Sequence, residues 1–398
     1  MKYAIVITDG AADRPLAELN DRTPLQVAAK PTIDAIAAMG RIGTVRNVPE
    51  GFPPGSDVAI LSVLGYDPRA DYTGRAPLEA AAQDLAIEPG TWVFRCNLVT
   101  IIDGIMEDYS AGHISTAEAT TLIASLNAAL GSDTIAFHPG VSYRHLMTYR
   151  GEVNVTSTPT HDILGEPAAK HLPSGTGADV LGDLMARSRA VLAAHEVNAV
   201  RADLGENVAS SIWLWGEGTP PALEPFAKRF GLSAAVITAV DLVRGIAALT
   251  GMDRIDVEGA TGYVDTNYDG KGRAAVEALD THDLVVVHVE APDECGHNAQ
   301  VDLKIQAIED IDQRVVKPIL ERLKAEGDDW RILVLPDHPT PIALRTHTAD
   351  PVPFAIAGKD VVSVVADRLD ETTAAESDLH IQFGHEMMEY LTKPSHKG

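Results

Sequence analysis

A chain of 398 residues with 45% hydrophobic content is long enough for two domains and can bury a sizeable core. Its 57 acidic against 32 basic residues give a formal net charge of -25, which disfavours a broad nucleic-acid or anionic-membrane surface by simple repulsion. Only Cys96 and Cys295 are present, no run reaches membrane-spanning length and no signal stretch precedes the first strand pattern, so a disulfide framework is excluded and the expected setting is cytoplasmic.

In chain order, the apolar run at 4–7 predicts a buried strand that ends at Asp9, and the pattern over 24–39 predicts helix around a break at Lys30-Pro31. Pro53-Pro54-Gly55-Ser56-Asp57 then precedes the apolar segment 58–64, which places Ser56 at a helix N-terminus, where backbone N–H groups and the helix dipole favour an anion. Beyond Arg75 the strands shorten (92–97, 98–102, 143–149) around a helical stretch at 116–130, the pattern of an inserted α+β domain. Strand and helix alternate again from 211–214 through 234–237, 242–249, 255–257, 274–279, the strand at 284–289, a long helix at 307–325 and the strand at 332–335. The expected architecture is a doubly wound, mostly parallel sheet, formed by 1–74 and 195–398, with a smaller domain at 75–194 inserted in it.

Ligands in such sheets collect beyond the carboxyl ends of the strands. Asp9, the Asp293/His297 pair spaced four apart, Asp337-His338 and His347 all follow strand ends or the turns after them. Mixed carboxylates and imidazoles suit Mn²⁺, Zn²⁺ or Fe rather than Ca²⁺, and their number allows two ions. With Ser56 they suggest phosphate chemistry. Each residue also has an ordinary reading: Asp9 as a turn cap, Ser56 as an N-cap, His338 and His347 as hydrogen-bonded loop histidines. His288, among valines, reads as a satisfied core histidine and not a ligand; Lys271, between two glycines, reads as a solvated turn lysine that could alternatively reach a phosphate.

The motifs Ile5-Val6-Ile7-Thr8-Asp9-Gly10, Pro54-Gly55-Ser56-Asp57-Val58-Ala59, Leu64-Gly65-Tyr66-Asp67-Pro68, Tyr72-Thr73-Gly74-Arg75, Phe94-Arg95-Cys96-Asn97, Asp293-Glu294-Cys295-Gly296-His297, Asp337-His338-Pro339-Thr340-Pro341 and His347-Thr348-Ala349-Asp350-Pro351-Val352-Pro353 resemble, in order, the archaeal-type branch of cofactor-independent phosphoglycerate mutases, within the alkaline phosphatase superfamily. The resemblance implies an alkaline-phosphatase-like fold. It further implies a glycolytic isomerase that needs no 2,3-bisphosphoglycerate, acts on a small phosphorylated substrate and holds two divalent ions, usually manganese. One ion would be held by Asp9, Ser56, Asp337 and His338, the other by Asp293, His297 and His347. Ser56 would be the nucleophile that carries the phosphate as phosphoserine between the 3- and 2-positions of glycerate. The inserted domain would close over the glycerate and contact substrate through Arg75 and Arg95, with Asn97, Arg144, His161 and Asp162 as further candidates.

Pro339 stands where family members often have Ser, and Ala291-Pro292 precedes Asp293 where a more polar approach is expected. These departures point to a subgroup for which homoserine kinase activity has been proposed, so a phosphotransferase on another small alcohol, or a phosphatase, is the alternative. No full Walker-type spacing supports a nucleotide site of the P-loop kind.

Overall fold

The computed structural model describes residues 1–325, 327–363 and 366–393. They divide into two compact units: Met1–Tyr72 joined with the described residues from Ala222 onward, and Thr73–Pro221.

The first unit is a mixed α/β structure around an eight-stranded sheet. Lys2–Thr8 lies between Leu284–Val289 and Trp330–Leu335, parallel to both, and Ala234–Ile237 and Asp253–Ile255 extend the parallel set on the Leu284–Val289 side. Beyond Trp330–Leu335, Val352–Gly358 runs antiparallel to both of its neighbours, Trp330–Leu335 and Arg41–Val45, and His380–Ile381 closes that edge parallel to Arg41–Val45. Leu284–Val289 and Trp330–Leu335 are buried along their whole length, which is why each carries a continuous Val/Ile/Leu stretch, 284–287 and 332–335, rather than an alternating pattern. Helical residues such as Ile33, Ile36, Val315, Ile319 and Leu323 share a core with Val6, Val285, Val287, Ile332 and Val334.

The Lys30-Pro31 break divides 24–39 into two helices. Thr23 caps Pro24–Val27 in a reciprocal capping box with Gln26, and Pro31 opens Pro31–Met39 at the position where a missing N–H costs nothing. That second helix is capped from a distance: the Asp312 carboxylate accepts from the amides of Ile33 (2.6 Å) and Thr32 (3.2 Å). Asp312 itself begins a π-helical stretch, Asp312–Val316, between helices Val301–Ile311 and Lys317–Ala325, so the long helix expected at 307–325 starts earlier and carries an irregular turn.

The second unit is an antiparallel sheet in the order Ile105–Asp108, Trp92–Ile102, Arg144–Tyr149, Ile135–Val141. The strands expected at 92–97 and 98–102 are one eleven-residue strand. Helices Thr116–Leu130 and Ala178–Ala193 pack on it through Leu122, Ile123, Leu126, Leu181 and Leu184, against Phe94, Leu98 and Trp213. One expectation is corrected here. The segment at 211–214 is expected in the main sheet, but Ser211–Gly218 pairs antiparallel with Trp92–Ile102, so the second unit runs to Pro221 rather than ending at 194. Strand-helix alternation identifies a strand without identifying its partner; Trp213 and Trp215 are buried in the core of the second unit.

Candidate active site

Five separate stretches of the first unit deliver side chains to one place. Asp9 follows Lys2–Thr8, and its amide donates to Val289 O of the neighbouring strand. Asp337 and His338 follow Trp330–Leu335. Asp293 and His297 lie on the short helix Ala291–His297, with Pro292 in its first turn, and His347 comes from the turn before Val352–Gly358. Ser56 is the first residue of helix Ser56–Val63, after Gly55 at the N-cap. Gly10 makes the crowding possible: with φ +61°, a Cβ there would fall 2.6 Å from both Asp293 Cα and Asp293 Oδ1.

The ligand atoms of Asp293, His297 and His347 lie within 4.8 Å of one another, as do those of Asp9, Asp293 and His338. Asp293 belongs to both groups. Its Oδ2 is 3.3 Å from His297 Nε2 and its Oδ1 is 3.3 Å from His347 Nε2, while the two imidazole nitrogens are 2.8 Å apart. His338 Nε2 lies 3.1 Å from Ser56 Oγ, 3.3 Å from Asp337 Oδ2 and 3.7 Å from Asp9 Oδ1. The seven residues named from the sequence therefore share one site, and Asp293 bridges the two groups.

The electrostatics of this cluster fit divalent cations. Asp9 Oδ1 and Asp337 Oδ2 are buried acceptors with no hydrogen-bond partner, a costly state for a carboxylate unless a cation faces it. Burial, reinforced by the Asp337 and Asp293 carboxylates, raises Asp9 well above the ordinary carboxylate range. Burial pushes Asp293 the same way, but hydrogen bonds with His297 and His347 overcome it and hold its carboxyl well below that range. Burial would lower His297, yet Asp293 lifts it to about 9, whereas buried His338 is lowered. Oxygen and imidazole donors of this kind suit Mn²⁺, Zn²⁺ or Fe.

The other six candidates lie in the second unit. Arg95, buried, pairs with Glu79 at 3.0 Å and sets its guanidinium 4.2 Å over the Trp215 ring; Arg75 Nε donates to the other oxygen of Glu79 at 3.2 Å. Burial works against ionised Glu79, but Arg95 and Arg75 lower it overall, with Arg144 contributing. Burial brings Arg95 down to about 10. Asn97 accepts from Trp215 Nε1 at 3.2 Å and donates to Thr160 at 3.3 Å, and the His161 ring is 5.6 Å from that of Trp215. Asp162 is exposed and lies 3.6 Å from His161, so it joins the group through its neighbour.

A profile of the 2,3-bisphosphoglycerate-independent phosphoglycerate mutases matches residues 37–198. The protein of that name from Methanothrix thermoacetophila is 50% identical over 391 residues, 98% of this chain and 99% of the relative. The chain belongs to the 2,3-bisphosphoglycerate-independent phosphoglycerate mutases. Among solved structures, a Pyrococcus horikoshii protein superposes with a TM-score of 0.84 at 29% identity, covering 100% of this chain and 98% of its own. The cofactor-independent phosphoglycerate mutase of Thermoplasma acidophilum superposes with a TM-score of 0.66 at 28% identity, covering 98% and 99%.

Several residues that support the two sets of candidates were not among those named from the sequence. Thr340 Oγ1 donates to Asp293 Oδ1 and lies 3.3 Å from His338 Nδ1, so one hydroxyl serves both groups. Behind it, buried Lys304 donates to Thr340 O (2.8 Å) and to Asp13 Oδ2 (2.7 Å), and Asp13 accepts from the Ile342 amide, which ties down the loop that carries His338. Lys271 is fully buried and donates to His288 O at 3.1 Å, against the expectation of a solvated turn lysine. Glu79 and Trp215, which organise the arginines, belong to no motif. The one available signal was polarity in an apolar setting: a histidine amid valines needs a partner.

Proposed function

We propose that this chain interconverts 3-phosphoglycerate and 2-phosphoglycerate by way of a phosphoserine on Ser56. The observation that carries the reading is Ser56 Oγ, at the start of a helix and 3.1 Å from His338, within a converging set of carboxylates and imidazoles. One divalent ion would be held by Asp9, Ser56, Asp337 and His338 and the other by Asp293, His297 and His347, with Mn²⁺ the usual choice in the family. Bound there, such ions supply Lewis-acid polarisation of phosphoryl oxygens and favour deprotonation of a nearby hydroxyl.

Ser56 Oγ forms its bond to phosphorus as the bond from phosphorus to the C3 oxygen breaks. The C2 hydroxyl of the same glycerate then attacks the phosphoserine and frees Ser56. Protons balance over the cycle: the one lost by the serine is matched by the one taken up at the C3 oxygen, and the second transfer reverses the exchange at C2. The helix N-terminus at Ser56 directs backbone amides toward the phosphate. Arg75 and Arg95, with Asn97, Arg144, His161 and Asp162, would bind the substrate's charged groups, making Thr73–Pro221 the substrate-binding and transferase domain.

The same reading takes the fold as an alkaline-phosphatase-like doubly wound sheet with an inserted α+β domain. It assigns the chain to the cytoplasm, with a small phosphorylated substrate as its partner and neither nucleic acid nor membrane. A kinase-like transfer to homoserine, or a phosphatase activity, is not favoured: the chain matches mutases over its whole length at about half identity. Phosphorus NMR of the Mn²⁺-loaded protein with 3-phosphoglycerate tests the proposal. The 2-phosphoglycerate resonance is expected to grow to equilibrium, and its absence with metal bound would refute the mutase reading; inorganic phosphate alone would indicate a hydrolase.

A further inference from the structure

His288 belongs to Leu284–Val289, where it is in register with Ile7 of the neighbouring Lys2–Thr8 strand. It is fully buried, and its surroundings are not wholly apolar. Its Nε2 is 2.8 Å from Asp9 Oδ2 and its Nδ1 is 3.1 Å from Thr238 Oγ1, the hydroxyl just beyond strand Ala234–Ile237. The Val240 amide donates to that same hydroxyl at 3.0 Å. The strand position is held too, since Lys271 Nζ donates to the His288 carbonyl.

Donor and acceptor roles follow from these contacts. An amide only donates, so Val240 takes one lone pair of Thr238 Oγ1, and the hydroxyl retains a proton and a second lone pair with which to meet His288 Nδ1. The Asp9 end decides the roles: a carboxylate only accepts, so Nε2 carries the ring proton, Nδ1 is the acceptor, and Thr238 Oγ1 donates to it. Asp9 Oδ2 is thereby engaged, and Asp9 Oδ1, the oxygen without a partner, is the one left to face the ion site.

We infer that His288 is a positioning residue for the metal centre: locked by Thr238, it orients Asp9 and limits it to offering one oxygen. This rests on the reading of Asp9 as a metal ligand. Outer hydrogen bonds to metal ligands are typically worth about 10–100-fold in metal affinity, and three neighbouring strands together carry this one.

The test is calorimetric titration of Mn²⁺ into the chelator-stripped full-length protein, with the melting temperature of the metal-free form measured in parallel. Asp9→Asn is expected to lose one binding event. His288→Leu, which keeps the volume and removes the donor, is expected to weaken that event about 10–100-fold. His288→Gln carries an amide donor to the position of Nε2 and should recover most of the affinity; His288→Asn, whose amide stops near Nδ1, should not. Thr238→Val should cost a few-fold. A merely structural histidine would lower the metal-free melting temperature in His288→Leu while leaving Mn²⁺ affinity unchanged, and that outcome, with Asp9→Asn still defective, overturns the inference alone. Wild-type affinity in Asp9→Asn overturns the metal-ligand reading of Asp9 and the inference with it. Should His288→Leu fail to fold, equal affinity in the Gln and Asn variants overturns the proposal.

Discussion

The two candidate regions have opposite electrostatic imbalances. In the first unit, Asp9, Asp293 and Asp337 converge with imidazoles, and two carboxylate oxygens have no hydrogen-bond partner. In the second, Arg75, Arg95 and Arg144 act on a single carboxylate, Glu79, which pairs directly with the first two. One cluster gathers carboxylates, two of whose oxygens lack a hydrogen-bond partner, and the other gathers guanidiniums around one carboxylate. On the proposed reading the first would take up cations and the second an anion, and in both the burial that works against ionised carboxylates is offset by charged neighbours or hydrogen bonds.

The largest expected effect comes from removing the group that does chemistry without altering that balance. Ser56→Ala should lower phosphate transfer by at least about a thousand-fold, in line with loss of a covalent nucleophile. Mn²⁺ should still bind in calorimetry, more weakly, because the remaining ligands survive. Activity that persists in Ser56→Ala would mean that the cation cluster serves some other nucleophile.

Next come the ligands, where the shared position of Asp293 makes a graded prediction. Asp293→Asn touches both groups and should impair both ion-binding events, whereas His297→Ala or His347→Ala should impair one. Counting the ions retained after gel filtration, by metal analysis, separates these outcomes; equal losses in all three variants would remove the distinction between two groups. Acidification should likewise release ions and lower activity, because histidine ligands must give up their protons to bind.

The arginine cluster should respond differently. Arg95→Lys keeps the charge but loses the planar stack on Trp215, and should reduce kcat/KM by roughly ten- to a hundred-fold, mostly through KM. Mn²⁺ affinity should not move. A change in metal binding would show that the two regions are not the independent charge stores their internal contacts describe.

How much of this could be read from the sequence depends on whether a residue acts through its own local pattern. Asp9, Ser56, Asp337 and His338 stand at the ends or beginnings of regular elements, and apolar periodicity marks those ends. His288, Thr340 and Lys304 act through partners far away in the chain: 279 residues separate His288 from Asp9, 47 separate Thr340 from Asp293, and 291 separate Lys304 from Asp13. A single sequence carries no signal of such pairings. The reading of His288 as a satisfied core histidine was sound as far as local pattern reaches, and its partner is what changes its meaning. The strand expected at 211–214 in the main sheet pairs instead in the second unit for the same reason, since parity and length describe a strand but not its neighbour.

The smallest expected effect concerns a part-buried carboxylate of the first unit outside the ligand set. Asp13 is neutralised by buried Lys304 at 2.7 Å, and removing that lysine alone would leave a buried charge unpaired at a cost of about 3–5 kcal/mol. Glu371 has only neutral donors in its hydrogen bonds, the Asp13 amide at 2.9 Å and the Thr23 hydroxyl at 2.6 Å, and burial raises it from 4.5 to about 7. A carboxylate that holds its proton more tightly folded than unfolded makes stability fall as pH rises from about 4.5 to about 7, with the full penalty present above that window. Glu371→Gln keeps an acceptor for the Asp13 amide and has no proton to lose. Thermal melts of the metal-free protein should therefore show the wild type losing a few degrees more than the variant between pH 5 and pH 8. Parallel curves would mean that Glu371 is already ionised at pH 5, held by groups other than its two hydrogen-bond donors.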